Sequence, residues 1–259
     1  MTTRRLVLYC VIGGVLYLMA LAVTVPAPWV SRAVERASAQ KLQLRSPSGT
    51  LWGGSGHLYA IPRTGIPVDL GELRWKTAWP ALFTGRLAAD VSLGEGTRSA
   101  RVEVSPTAAA IRGLDVVLPA SILATFIPGL ESLGPGGTLR IRSESQRIAS
   151  SSILGQAEIE WRRVRLARAP GLDLGSHVAR LRGGGEKVDI ELATLDGPLR
   201  LSGSGTLTAQ GAFTLSGMLE HDAQQPPALA TFLTGVCASY VQNRCRFQIR
   251  LDARGAHSS

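Results

Sequence analysis

The chain has 259 residues, a formal net charge of +9 and an aromatic content of only 5%. This length is sufficient for one large domain or two small ones with a buried core. The low aromatic content argues against a binder of single-stranded nucleic acid, which stacks bases on aromatic side chains. Most of the positive charge comes from scattered arginines, which favours solvated surface arginines over a site for nucleic acid or lipid headgroups.

Residues 6–25 form the first predicted element, an apolar run of 20 residues without a charge or a proline. At a rise of about 1.5 Å per residue, a helix of this length crosses the ~30 Å hydrocarbon core of a bilayer. Arg4 and Arg5 precede the run, and positive charge of this kind stays in the cytoplasm. We therefore expect one transmembrane helix, a cytoplasmic tail at residues 1–5, and the remaining chain on the other side.

A cleaved signal peptide is the competing interpretation of this run. Residues 20–22, Ala-Leu-Ala, have the form of a cleavage site, and Arg32, Arg36 and Lys41 reduce the charge asymmetry. However, the run exceeds the roughly 7–15 apolar residues of a signal peptide. The sequence favours an anchor, and a mature N-terminus at Val23 in mass spectrometry would exclude it.

Residues 26–40 are predicted to form a juxtamembrane helix or linker. Trp29, Ala33, Val34 and Ala37 fall on one helical face. Trp29 follows the apolar run closely, so we expect its indole at the membrane–water interface.

From residue 41 the pattern changes to alternating apolar and polar residues, separated by glycine and proline. This period of two is typical of half-buried antiparallel strands. Two short helices are expected within this region, at residues 119–128 and 226–235. The predicted fold class is therefore mainly β, a twisted antiparallel domain with two short helices behind the anchor.

An internal duplication is suggested by two similarly spaced motifs. Gly49-Thr50-Leu51 precedes Trp75, and Gly137-Thr138-Leu139 precedes Trp161, followed in both cases by basic residues, a proline and a further strand. The shared order indicates two similar β units on one continuous sheet. We place them at residues 41–135 and 136–259.

Three cysteines are present, and Cys10 lies within the apolar run. Cys237 and Cys245 are separate core residues if the domain is in a reducing compartment, and close a short loop by a disulfide if it is periplasmic. Neither has a His, Asp or Glu between or beside it, which argues against a metal site. The predicted topology favours the disulfide.

The sequence offers no constellation for catalysis. The four histidines lack metal-ligand spacing, and the segment GGSGH at residues 53–57 has His57 where a nucleophile elbow requires glycine. Phosphate-binding glycine motifs are missing, and the paired carboxylates alternate with apolar residues as exposed strand positions do. We expect no catalytic residue, no metal and no cofactor, and a non-enzymatic protein.

The pattern instead suits a mechanical role. Exposed strand edges pair with strands of partner proteins, which would make the domain a scaffold. An apolar concave face would instead hold acyl chains. Periodicity alone fits both hypotheses.

The chain resembles the type II secretion system protein N family. The resemblance is carried by the N-terminal span, SPSGTLWGGSGHLYA, LGELRWKTAWPALFTGRLAADV, GTLRIRSES…EIEW and FLTG…RFQIRL. It implies a bitopic protein of the bacterial inner membrane with a periplasmic β-rich domain. The matching positions, implied to be fold determinants, are Gly49, Leu51, Trp52, Gly53, Trp75, Pro80 and Trp161.

This resemblance implies an accessory role in exporting folded proteins from the periplasm across the outer membrane. The implied partners are other inner-membrane components or the secretin, with possible lipid contact and no nucleic acid. The cysteine pair is not a feature that the resemblance implies.

A second resemblance is to anchored, repetitive β proteins of the AsmA-like and lipopolysaccharide-export kind. These bind or move lipid along an apolar trough. This alternative uses the same anchor and the same alternating strands. Trapped exoproteins after gene deletion would support the secretion role, whereas a permeability defect with normal secretion would support the lipid role.

Overall fold

The computed structural model describes residues 13, 24–63, 65–78, 85–94, 99–127, 130–149, 151–221, 239–241 and 244–251. Its dominant feature is one antiparallel sheet of 14 strands. The strands are β1 Leu42–Thr50, β2 Gly53–Ala60, β3 Val68–Ala78, β4 Leu87–Leu93, β5 Ala100–Val104, β6 Ala108–Pro119, β7 Pro135–Ala149, β8 Ser152–Leu166, β9 Ser176–Gly185, β10 Lys187–Asp196, β11 Leu199–Thr208, β12 Phe213–His221, β13 Ser239–Val241 and β14 Arg244–Leu251.

In the described residues from 24 onward, the helices are few and short. Helix α1 spans Pro28–Ala37, and a 3-10 turn at Ala120–Ile122 continues into α2, Leu123–Phe126, followed by a 3-10 turn at Leu130–Leu133. The predicted mainly β, antiparallel fold with short helices is confirmed. The helix predicted at residues 226–235 lies outside the described residues.

Each strand pairs with the next one in sequence up to β12, so the sheet is a meander. Beyond β12 the order becomes β14 and then β13. β6 pairs with β7 from Ala108–Ala149 to Pro119–Thr138, across the boundary predicted between the two units. The division at residue 136 therefore stays a prediction, since no break in the sheet marks it.

Alternation places one set of side chains on an inner face. In β3, Leu70, Trp75 and Thr77 are buried, whereas Arg74 and Lys76 are exposed. The main core lies on the inner face of β1–β8 and includes Leu58, Trp75, Leu118, Ile122 and Leu139. A smaller core packs Leu174, in the loop between β8 and β9, against Val164 on β8 and Leu199 on β11.

Glycines bend several strands at mid-length. Gly71, Gly113 and Gly155 have φ angles of 98°, 67° and 122°. The β2–β3 register shifts beside Gly71, and the β7–β8 register shifts between Arg142 and Gln146, opposite Gly155. Bulges of this kind increase local twist and curve a sheet.

Helix α1 packs against β1, but of the residues on the predicted face only Val34 lies against the core. Val30 and Val34 lie against the main core, whereas Trp29, Ala33 and Ala37 are exposed. The sequence pattern did not show which side of the helix would meet the free edge of β1.

Among the residues that the structure describes, none forms a helix long and apolar enough to span a membrane. The predicted transmembrane run, residues 6–25, lies outside the described part except for Gly13, Thr24 and Val25.

Candidate interaction site at the first hairpin

The turn between β1 and β2, residues 49–54, contains four of the positions singled out in the sequence, Gly49, Leu51, Trp52 and Gly53. Gly49 has a φ of 92°, and a Cβ there would lie 2.5 Å from the carbonyl oxygen of Gly53 and 2.8 Å from Cα of Gly54. Only glycine fits this backbone conformation without strain. The tight approach of the two strands therefore explains the glycine at position 49.

Strand β3 fastens this turn from one side. The Trp75 indole Nε1–H donates to the carbonyl of Thr50 at 3.0 Å, and the ring lies over Gly54. Thr77 donates its backbone N–H to Trp52 O at 2.7 Å and its hydroxyl to Leu51 O at 2.9 Å. Three successive turn carbonyls thus have partners, as buried backbone groups require.

The segment that follows the apolar run fastens the turn from the other side. The N–H of Leu51 donates to Val25 O at 2.9 Å, and the N–H of Ala27 donates to Gly49 O at 3.2 Å. In α1, the Ser31 hydroxyl donates to Leu44 O at 2.8 Å. These bonds cover the free edge of β1, which would otherwise expose unpaired backbone groups.

We call Val25, Ala27, residues 49–54, Trp75 and Thr77 the hairpin junction. It brings together five sequence-predicted positions, which are Gly49, Leu51, Trp52, Gly53 and Trp75. Its residues carry no acid or base, and the hydrogen bonds above join its own backbone and side chains. The hairpin junction therefore positions chain segments and has no means of proton or group transfer.

Trp161 makes a comparable bond elsewhere in the sheet. Its Nε1–H donates to Gly136 O at 2.9 Å, again a carbonyl 25 residues earlier. However, Trp161 lies on β8 directly beside β7, whereas β2 separates Trp75 from Thr50 on β1. The two motifs share a bond type and a spacing but not a strand arrangement.

The outer face carries a ladder of arginine–carboxylate pairs across β6–β9. Arg140 binds Asp115 through Nε and Nη2 at 2.8 and 2.7 Å, which raises the pKa of Arg140. Arg142 and Arg162 bind the buried Glu160 carboxylate at 3.3 and 2.6 Å. The ladder neutralises these arginines, so this part of the surface is not a strong cation patch.

A similar exposed pair stands on β3. Arg74 Nη2 donates to Glu72 Oε2 at 2.8 Å, and this hydrogen bond lowers the pKa of the Glu72 carboxyl. Both side chains face solvent, so the pair contributes little to stability.

His177 on β9 is a buried titratable group. Its Nδ1 lies 3.3 Å from Thr194 Oγ1, on β10. Burial lowers the pKa of the imidazole, because desolvation disfavours the charged form. The contact between the imidazole and the Thr194 hydroxyl joins β9 to β10 beside the smaller core.

The remaining predicted positions are distributed along the chain. Trp29 is exposed at the start of α1, with the Arg32 guanidinium 6.0 Å from its ring centroid. Cys245 is buried on β14 and engaged in a disulfide. Arg4, Arg5, Pro80 and Cys237 lie outside the described residues.

No group of three or more His, Cys, Asp or Glu side chains in the described part of the chain is placed to hold a metal ion. The role of Thr77 and the contact of residues 25–27 with β1 were not predicted from the sequence. Thr77 alternates with Trp75, which was a usable signal for its inward direction. The contact of residues 25–27 had no sequence signal, because it depends on the path of the chain.

Comparisons with known proteins identify the family. No curated protein and no solved structure matches the chain. The family model for type II secretion system (T2SS) protein N matches residues 40–245, which includes the hairpin turn, Trp75 and Trp161. The chain therefore belongs to the type II secretion system protein N family and has its role in type II secretion.

Proposed function

We propose that the chain is a non-enzymatic component of the secretion system, anchored in the inner membrane by residues 6–25. Residues 1–5 are cytoplasmic and the β domain is periplasmic. The observation that carries this proposal is the hairpin junction, because it bonds the segment leaving the apolar run directly to the sheet. Such a junction joins an anchor rigidly to a scaffold.

The compartment is supported by Cys245, which is disulfide-bonded. Disulfides persist in the periplasm and are rare in the cytoplasm. Its proposed partner is Cys237, eight residues earlier in the chain. This bond would fasten the segment between β12 and β14.

The role within the system is assembly of the machine, and the export of folded proteins across the outer membrane depends on it. Family membership implies contacts with other secretion components. The proposed partners are inner-membrane components or the secretin. We also keep the proposal of two similar β units, which the paired Trp75 and Trp161 bonds support.

The test replaces residues 1–25 with a cleavable signal peptide. The freed domain should no longer support export, and exoproteins should accumulate in the periplasm, as measured by immunoblotting of cell fractions. The matched control replaces only residues 6–25 with an unrelated apolar helix of equal length, which should preserve export. Unchanged export by the freed domain would show that the anchor serves delivery alone.

Lipid binding is a second candidate function, favoured by one apolar row on the inner face. Register pairs Leu87 with Val104, Val104 with Ala109, Ala109 with Ile148, and Ile148 with Ile153. Ile148 is 42% exposed, although its row continues the face that carries the core. Phospholipid retained by the purified protein in native mass spectrometry, with a permeability defect on deletion, would favour this function.

A further inference from the structure

We propose that the end of the strands at the hairpin junction lies against the bilayer interface, and that the strands run from there away from the membrane. This inference rests on the proposed anchor. It adds a fixed orientation and a lipid-contacting surface that anchoring alone does not require.

The path of the chain supplies the first argument. The apolar run ends at Val25, and the carbonyl of Val25 already accepts the N–H of Leu51 at the β1–β2 turn. No linker separates the predicted anchor from the sheet. The turn must therefore lie within a few ångströms of the point where the chain leaves the bilayer.

Helix α1 sets the direction of β1. From the hairpin junction it runs back along β1, with Ser31 bonded to Leu44 O and the Ser38 hydroxyl accepting the N–H of Leu42 at 3.0 Å. These contacts are spread along β1, from Thr50 to Leu42. The residues that follow Val25 are thus fixed along the length of β1 and form part of the folded domain, not a flexible linker.

Exposed apolar side chains at the same end of the strands supply the second, independent argument. Leu87 at the start of β4 is 38% exposed and Val104 at the end of β5 is 44% exposed, and the two are cross-strand partners. β4 pairs with β3 close to Thr77 of the hairpin junction. Trp29, 59% exposed beside Arg32, completes a surface of apolar, aromatic and basic groups.

This chemistry fits the boundary between headgroups and acyl chains. Tryptophan favours that depth, and arginine keeps its charge among the headgroups while its stem covers apolar surface. Arg86, exposed next to Leu87, adds a second cation at the same end of the strands. The partner is accordingly a phospholipid surface that contains anionic lipid.

The opposite end of strands β2 and β3 provides a matched control. Ile66, in the loop between β2 and β3, is 73% exposed and so is a more accessible apolar residue than Leu87. β2 has eight residues, which places this loop about 26 Å from the β1–β2 turn. Exposure alone predicts lipid contact at Ile66, whereas the proposed orientation predicts none.

The experiment uses the full-length protein in vesicles of phosphatidylethanolamine and phosphatidylglycerol. A photoreactive phenylalanine analogue replaces Leu87, Val104, Ile66 or Leu16 in separate variants, and lipid adducts are measured by mass spectrometry. Circular dichroism and export in cells establish that each variant is folded. We expect adducts at Leu16, Leu87 and Val104, several-fold more frequent than at Ile66.

The outcomes separate the orientation from the anchor. Adducts at Leu16 without adducts at Leu87 and Val104 would leave the anchor in place and overturn the orientation. Adducts equally frequent at Ile66 and Val104 would also overturn it. The absence of adducts at Leu16 would overturn the anchor and the orientation together.

Discussion

At the scale of the residue, a glycine that contacts a large side chain leaves no room for a Cβ, and this decides local packing. A Cβ on Gly54 would lie 2.6 Å from the Trp75 ring and would clash with the carbonyl of Ser48. We expect Gly54→Ala to lower the free energy of unfolding by about 1–3 kcal/mol, because overpacking displaces the indole from Thr50. Urea denaturation followed by tryptophan fluorescence measures this loss.

The matched control for that substitution is Gly184→Ala on β9. Gly184 has no atom within 4 Å of an added Cβ, and its φ angle is not in the left-handed region. Its replacement should change the unfolding free energy by less than about 0.5 kcal/mol. Equal losses at both positions would show that backbone freedom, and not the contact with Trp75, explains the effect.

His177 makes stability depend on pH. Burial lowers the pKa of its imidazole below the ordinary value of 6.5. Well above pH 6.5, His177 is neutral in both the folded and the unfolded state; as the pH falls through 6.5, the unfolded state takes up the proton first. The unfolding free energy should therefore fall as the pH decreases from about 7.5 to 5.5.

The comparison for this pH series is His177→Asn, which keeps a polar group near Thr194 but does not titrate. Urea denaturation at each pH should give a smaller pH dependence for the variant than for the parent protein. Parallel curves for the two proteins would assign the acid sensitivity to other groups.

At the scale of the element, the contact between α1 and β1 closes one edge of the sheet. The Ser31 hydroxyl supplies a bond of 2.8 Å to Leu44 O. Ser31→Ala should reduce the unfolding free energy by about 1 kcal/mol, a typical value for one hydrogen bond. Loss of edge protection should also increase association between copies of the chain, as measured by light scattering.

Ser216→Ala on β12 is the control for Ser31→Ala. The Ser216 hydroxyl is exposed and its contact with Ser204 O is 3.5 Å long. This change should have an effect below about 0.5 kcal/mol. If both variants behave alike, the Ser31 bond does not hold α1 on the edge.

At the scale of the whole molecule, the core is unevenly distributed over a continuous sheet. The main core belongs to β1–β8, whereas every described side chain of β12 is partly or fully exposed. We expect amide hydrogens of β12 to exchange faster than those of β7, because local opening there exposes fewer buried apolar groups. Hydrogen exchange with mass spectrometry measures this difference, and equal protection would indicate a single cooperative unit.

Much of the strand content followed from the sequence because a period of two is a local property. The alternation around Trp75 predicted the strand, whereas the tight turn at residues 49–54 and its contact with Trp75 were seen only in the structure. Gly71, Gly113 and Gly155 were not recognised as bends, since their effect depends on the partner strand. The arginine ladder was likewise not predicted, because Arg140 meets Asp115 only in the β6–β7 register.

The sequence by itself determined a β-rich chain behind an apolar run, and the residues that mark its family. Only the tertiary structure decided that the segment after the run bonds to the β1 edge, that α1 packs Val30 and Val34 against the core, and that one sheet crosses the predicted boundary. The physical reason is the range of the interactions. Strand formation depends on residues two apart, whereas edge closure and register depend on backbone groups brought together by the path of the whole chain.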